Sequence, residues 1–356
     1  MTNGFPDRIL ALTSGRSTSR QGAKAIPISL IIAAFFGLAL LVYLIVDSGA
    51  AEVAHAMLVV GWGLLPIALY HFVPLLFSAL SWRELLPLSS RPDIISVTWI
   101  RWIRESINSL LPVAGVGGDI ASARLIHLRG VPGTQAAASM VVDTTVGVAT
   151  QLVFVITGVV LLVFRSTDHA ALLVAWATLI GISAFIVAVA TFVLLQHRSM
   201  FGKFARLARR LLPANWLSGF AGSASAIDDA VVAVYRSGLA FWRSNLLRLV
   251  GWAAGAGEIW LVMKFLGQPL DVIDAFILES LTSGVRAAAF MVPGALGALE
   301  GSFVLFGALF GLPAETALAV SLSKRVRELI LGLPGLFVWH WVEGHYLLRH
   351  SEDKAG

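Results

Sequence analysis

The chain has 356 residues, of which 57% are hydrophobic and only 13% charged, with a formal net charge of +5 and a mean hydropathy of +0.82. No soluble domain built on one core tolerates so much apolar surface, so the composition excludes a globular enzyme and calls for an integral membrane protein. The absence of cysteine excludes disulfides, thiolate catalysis and Cys-based metal sites, and the positive charge lies in connections, where it reports orientation in a membrane and not nucleic-acid binding.

Taken in order, residues 1–25 are a basic tail carrying Arg8, Arg16, Arg20 and Lys24. The apolar run at 26–46 has no small-residue cleavage pattern after it and is read as a retained membrane anchor. Runs at 56–80, 135–164, 170–195 and 246–266 also reach the roughly 20 apolar residues that a helix needs to cross hydrocarbon. Their period is helical or absent, whereas a β-barrel would alternate lumen and lipid faces, so helices are predicted throughout. Lys and Arg gather in the tail, around Arg83 and Arg91, and at 198–243, which assigns these parts to the cytoplasm; the connections holding Asp47 and Glu52, and 264–274, read as outward. Residues 198–210 space basic and apolar side chains as an amphipathic helix on anionic lipid. The prediction is one transmembrane domain at 26–348, with halves at 26–164 and 170–348, a basic cytoplasmic loop at 196–243 and a tail at 349–356.

Two matching segments stand among these runs, LPVAGVGGD at 111–119 and VPGALGALE at 292–300. The 181 residues between Pro112 and Pro293 also separate Asp119 from Glu300, Gly130 from Gly311, Pro132 from Pro313 and Ala136 from Ala317. This is an internal duplication. A Pro/Gly break with an acid in each half marks a binding site between transporter-like repeats. The first copy is entered from a cytoplasmic connection and the second from an outward one, so the repeat is predicted to be inverted. Each copy then forms a re-entrant hairpin of broken helices, 94–111 with 119–129 and 273–292 with 301–310, lining a cavity. Ordinary turns at the membrane surface are the other reading.

The pattern Asn108, Leu110, Pro112, Gly115, Gly117, Asp119 and Pro132 is followed by Pro293, Gly294, Gly297 and Glu300, then by Arg325 or Arg327 and Pro334-Gly335. In these residues the chain resembles the flippase-like membrane superfamily that includes the transmembrane region of lysylphosphatidylglycerol synthases. The resemblance implies a polytopic all-α fold, membrane lipids as partners and lipid translocation as function, with lipid-biosynthesis proteins as further partners. Members usually carry a Glu-Arg pair in the helix after the first hairpin, whereas here Val142-Asp143-Thr144 stands. That form looks like the branch associated with hopanoid biosynthesis, which would imply a triterpenoid-related cargo. The synthases' aminoacyl-transferase domain has no counterpart in a polar stretch of domain size, so lysyl transfer is not expected.

Charges inside a membrane cost from about 2.5 kcal/mol each, and they face a cavity or one another. The candidates are Asp119, Asp143, Glu258, Glu279, Arg286, Glu300, Lys324, Arg325, Arg327 and Glu328. The duplication sets Asp143 against Lys324, so Asp143 with Lys324 or Arg325 is expected to form a structural ion pair or a gate. Arg286 with the 324–327 stretch offers charge to a lipid phosphate, or else is a charged helix end at the interface. Asp119 and Glu300 are expected to cap the second helix of each hairpin, with proton coupling as the lesser role. Arg101, Arg104 and Glu105 beside Trp99 and Trp102 read as an interfacial anchor. His340 and His345 do not share a helix face, no P-loop or G-x-S-x-G elbow occurs, and neither a metal, a cofactor nor an enzymatic role is expected.

The expectation is an all-α polytopic integral membrane protein of about six to eight transmembrane helices, in the bacterial inner membrane with its N-terminus cytoplasmic. It would translocate or bind an amphipathic lipid, phospholipid or hopanoid-type, through Pro112, Gly115, Asp119, Asp143, Arg286, Pro293, Gly297, Glu300, Lys324 and Arg325. The lipid gradient or protons would drive it. Alternatives are a membrane-embedded enzyme or enzyme partner in lipid or triterpenoid biosynthesis, which lacks the clustered acids it would need, and a small-solute secondary transporter.

Overall fold

The computed structural model describes residues 28–111, 117–165, 218–289 and 292–352. The predicted tail at 1–25, the run at 170–195, the stretch at 198–210, and Pro112 and Gly115 lie outside the described residues. Among those described, every regular element is a helix: α1 (Ile28–Asp47), α2 (Ala50–Val60), α3 (Leu64–Tyr70), α4 (Phe72–Glu84), α5 (Ile94–Leu110), α6 (Gly117–His127), α7 (Gly133–Arg165), α8 (Ser218–Tyr235), α9 (Leu239–Phe265), α10 (Val272–Ala288), α11 (Ala298–Gly307) and α12 (Ala314–Glu352).

The described part of the first predicted span lies in α1, and the second lies within α2–α4, a run from Ala50 to Glu84 kinked at two places. The second kink falls at His71, because Pro74 has no N–H to offer the carbonyl of Tyr70. Among the described residues, three runs are by themselves long and apolar enough to cross a membrane: Ala50–Glu84, Gly133–Arg165 and Leu239–Phe265. The molecule is turned inside out relative to a soluble protein. Trp62 is 90% exposed and Phe35, Phe164 and Trp242 also face outward, whereas Asp143, Glu258, Glu300 and Arg248 are buried. That distribution fits a hydrocarbon solvent and a polar interior.

The duplication sets the element boundaries. A shift of 181 takes the start of α6 at Gly117 to that of α11 at Ala298, and the start of α7 at Gly133 to that of α12 at Ala314. The turns before the two long helices also match, since Gly130 and Gly311 both adopt positive φ, 95° and 71°, a conformation cheap only for glycine. At 1.5 Å per residue, α6 with 11 residues and α11 with 10 extend only about 15–17 Å, half the hydrocarbon thickness. Each is too short to span alone and packs on the helix before it, α6 on α5 and α11 on α10, as the second arm of a helix pair. Asp93 caps α5 by accepting from the Ser96 N–H, and bonding from the Ser96 side chain first, then from its N–H, holds the Asp93 carboxyl below the usual range. Asp271 caps α10 through the Ile273 N–H, with a hydrogen bond from Arg165 holding its carboxyl down first of all.

Packing follows the same duplication. One apolar cluster joins the first hairpin to the start of α7 and the end of α12, through Ile100, Ile103, Ile126, Met140 and Trp339. The other joins the second hairpin to the start of α12 and the end of α7, through Ile277, Leu281, Phe303, Val320 and Val159. Each hairpin is thus held by its own long helix and by the far end of the other. Close approach needs small residues: a Cβ on Gly118 would collide with the Arg104 carbonyl, and one on Gly332 would meet Leu110 at 2.6 Å.

Two boundaries differ from expectation. The connection read as a basic loop at 196–243 contains α8, packed on α7, and α9 begins seven residues before the predicted 246, at Leu239. Apolar Phe241 and Trp242 extend the helix past its most hydrophobic stretch. The tail predicted at 349–356 is helical through Glu352, because α12 continues into it.

Candidate functional site

A cavity of about 430 Å³ opens among α4, α5, α7, α9, α10, α11 and α12. Its volume is within the range of small-molecule sites. Four helices reach it with the same spacing, which places side chains on one helical face. They are His71, Pro74, Leu75 and Ser78 on α4 and its entry; Arg101, Arg104, Glu105 and Asn108 on α5; Arg248, Gly251, Trp252 and Gly255 on α9; and Glu279, Thr282, Ser283 and Arg286 on α10. Glu258 of α9, Ala287 of α10, Lys324 and Arg327 of α12, Gln151 of α7 and Leu299 of α11 complete the wall.

Asp143, 0% exposed, anchors one side. It accepts from Arg101 at 2.6 Å and also from Arg104 and Arg248. Arg104 turns its Nε to Asp119 at 2.6 Å, and the Thr144 hydroxyl lies 3.2 Å from the other Asp119 oxygen. Across the duplication, Thr144 corresponds to Arg325, and Arg325 meets Glu300 at 2.9 Å, so equivalent positions make equivalent contacts to the hairpin acids. Arg325 also touches Glu328 at 3.3 Å, Arg286 meets Glu328 at 2.7 Å, and Lys324 meets Glu279 at 2.5 Å. Arg327 reaches Glu258 at 3.2 Å and Glu105 at 3.4 Å. His71 lies between the same two acids, Nε2 2.8 Å from Glu105 and Nδ1 2.5 Å from Glu258.

These pairs connect seven cations, Arg101, Arg104, Arg248, Arg286, Lys324, Arg325 and Arg327, with seven carboxylates, Glu105, Asp119, Asp143, Glu258, Glu279, Glu300 and Glu328. The two signs are not evenly placed. Six of those cations line the cavity against three carboxylates, Glu105, Glu258 and Glu279; the other four acids stand behind the cations. The surface of the cavity is therefore positive although the cluster as a whole balances. Arg248 and Arg327, 3% and 4% exposed, each keep a buried Nε–H without a partner.

Of the residues singled out from the sequence, Arg286 and Lys324 line the cavity, while Asp119, Asp143, Glu300 and Arg325 form the layer behind it. Pro293 opens the second break as a short 3-10 turn and Gly297 precedes α11 at φ 73°. Gly297 is not among the described residues that line the cavity, but a Cβ on Gly294 would lie 3.4 Å from Arg325, so the break makes room for that guanidinium. Three expectations are corrected. Asp143 pairs with neither Lys324 nor Arg325, because helices α5 and α9 bring three guanidiniums to Asp143 while α10 brings Glu279 to Lys324. Asp119 and Glu300 sit in the first turns of α6 and α11, where the helix dipole favours them, yet their side chains go to Arg104 and Arg325; the Gly118 N–H is taken by Asn108 at 2.9 Å. Arg101 and Arg104 are no interfacial anchor but reach inward, and Trp102 donates to the Leu331 carbonyl at 2.9 Å.

His71 and Arg248 were not among the expected site residues. Both lie inside apolar runs, so the cost of an ionisable group in hydrocarbon is the signal that marks them. Gln151 and Trp252 carry no comparable signal, since a neutral polar or aromatic residue in a helix of this kind is common.

The family model described as the lysylphosphatidylglycerol synthase TM region matches residues 28–335. No curated protein and no solved structure matches the chain.

Proposed function

The chain belongs to the family of the lysylphosphatidylglycerol synthase TM region, and from that membership we propose that it binds and translocates an amphipathic lipid with an anionic headgroup across the bacterial inner membrane. The observation that carries this reading is the cavity surface, on which six cations face three carboxylates. Arginine forks suit phosphate oxygens, and five arginines, Arg101, Arg104, Arg248, Arg286 and Arg327, line the cavity. The partners are membrane lipids, together with the proteins that synthesise the cargo. The role is transport and not catalysis.

The two hairpins enter this proposal as the halves of an inverted repeat that rock against each other around the headgroup. Their matched boundaries, matched clusters and the shared contact of Thr144 and Arg325 to the hairpin acids support it. The Cys-free chain permits a direct test. Single cysteines at Arg83 and Asp271 are expected to react with an impermeant maleimide from opposite sides of the membrane, Arg83 from the cytoplasm, as the basic N-terminal tail would also be placed. Labelling of both from one side would remove the inversion.

The cargo is open to mass spectrometry of the lipids that remain on the protein in mild detergent. Enrichment of phosphatidylglycerol or another anionic phospholipid over its share of the membrane is the expected result. Enrichment of a triterpenoid would favour the hopanoid-type cargo that the Val142-Asp143-Thr144 form suggests. Retention in the proportions of the bulk membrane would count against a selective lipid site.

A further inference from the structure

His71 stands outside the balance of charges around the cavity. It sits at the kink between α3 and α4 with its two ring nitrogens aimed at two different acids, Nε2 at Glu105 and Nδ1 at Glu258, 2.8 and 2.5 Å away. A neutral imidazole has one N–H, and an ionised carboxylate only accepts. Two short contacts of this kind require two protons among the three groups, one more than a neutral ring and two ionised acids possess. The extra proton gives the otherwise balanced cluster a net charge of +1, which one singly charged anionic headgroup neutralises.

A second donor lies within reach of the ring for when that proton leaves. Nε2 lies 3.3 Å from Nη1 of Arg327, a cavity-lining guanidinium. While Nε2 carries hydrogen it serves Glu105, and Arg327 has nothing to give it. Once Nε2 is bare it becomes an acceptor facing the Glu105 carboxylate, and Arg327 is the donor within reach. Arg327 is then drawn onto the ring and away from an anion in the cavity. The remaining charged groups near the trio are Arg101 on α5, Lys324 and Glu328 on α12, and Arg286 and Glu279 on α10, with Tyr70 of α3 donating to the Ala254 carbonyl at 3.0 Å. Lys324 pairs with Glu279 and Arg286 with Glu328, while Arg101 shares Asp143 with Arg104 and Arg248; these charges are counted in the balance of seven against seven, so the proton of the trio is the one that changes the sum.

We propose that His71, gripped by Glu105 and Glu258 beside Arg327, is a proton-binding site that loads the cavity with one proton for each anionic headgroup, so that the lipid crosses as a neutral pair. The inference rests on the anionic-headgroup reading. By linkage, the proton and the anion must strengthen each other's binding to the same extent. The sign follows: anion affinity is full while the trio holds its proton and falls as pH rises past its loss.

Calorimetric titration of the full chain in detergent with dihexanoyl phosphatidylglycerol, from about pH 6 to about pH 9.5, tests this. The wild type is expected to lose affinity on the alkaline side by up to tenfold per pH unit, the limiting slope for one coupled proton. His71→Gln should bind more weakly at the acid end and show no slope. Glu105→Gln, whose wild-type side chain is 41% exposed and so is tolerant of change, keeps His71 and should shift the fall to lower pH, because the protonated ring has lost one of its acceptors. A wild-type affinity that does not vary with pH, or the same slope in His71→Gln, overturns the proton site and leaves the headgroup reading standing. Failure of the wild type to bind phosphatidylglycerol at any pH overturns the headgroup reading and the coupling with it.

Discussion

Asp143→Asn is expected to cost the protein about 3–5 kcal/mol of stability, the usual penalty for removing one partner of a buried ion pair. The reason is the company Asp143 keeps. Its single carboxylate, with no exposed surface, stands among the guanidiniums of Arg101, Arg104 and Arg248, which come from two helices. An amide keeps the shape and one acceptor oxygen but none of the charge, so three cations face one another in a dry interior. Arg101→Gln is the matched comparison, because it leaves Asp143 with two partners and should cost clearly less. Melting followed by fluorescence-detected size exclusion reads both. An Asp143→Asn midpoint equal to that of the wild type would mean that the carboxylate does not hold the arginines together, and the charge arrangement behind the cavity would need to be redrawn.

Arg286→Gln should lower lipid translocation in proteoliposomes, and the affinity for an anionic phospholipid, by roughly tenfold to a hundredfold while leaving the melting midpoint close to that of the wild type. A hydrogen bond to a charged group contributes about 1.5–3 kcal/mol, and every 1.4 kcal/mol is about tenfold. The fold tolerates the change because Glu328, the partner of Arg286 at 2.7 Å, keeps Arg325 at 3.3 Å. Arg286 is also the more accessible member of its pair, 37% against 8% exposed, as a group that meets a guest would be. Arg286→Lys preserves the charge and loses the fork, so it should fall between the two. Unchanged translocation in Arg286→Gln would remove this residue from the headgroup site. A melting midpoint that falls with activity would assign it to structure instead.

What could be read from the chain and what could not differ in physical kind. The hairpin at 94–127 and its partner at 272–307 were legible because a broken helix needs Pro and Gly at fixed places, and a duplication repeats them at a fixed distance. The charged stretch from Lys324 to Glu328 was legible because charges are rare in such a sequence. The partner of each charge was not. Asp143 and Lys324 are equivalent in the duplication, yet one found arginines on α5 and α9 and the other a glutamate on α10. Pairing depends on which helix face lies opposite, and the 3.6-residue period fixes a face only relative to its own axis. Arg101 and Arg104 show the same ambiguity: next to Trp99 and Trp102 they fit a membrane interface in sequence, and only the packing of α5 on α12 turned them inward.

Membrane residence, helical structure and the repetition of one Pro/Gly-broken unit follow from hydropathy, period and duplication, which are properties of the chain alone. Helix packing brings seven cations and seven carboxylates from distant parts of the chain together, turns most of the cations to the cavity with four of the acids behind them, and sets His71 between Glu105 and Glu258 across 34 and 187 residues. Ionic attraction acts through space at a few ångströms and carries no trace of sequence separation, so its partners exist only once the helices have packed.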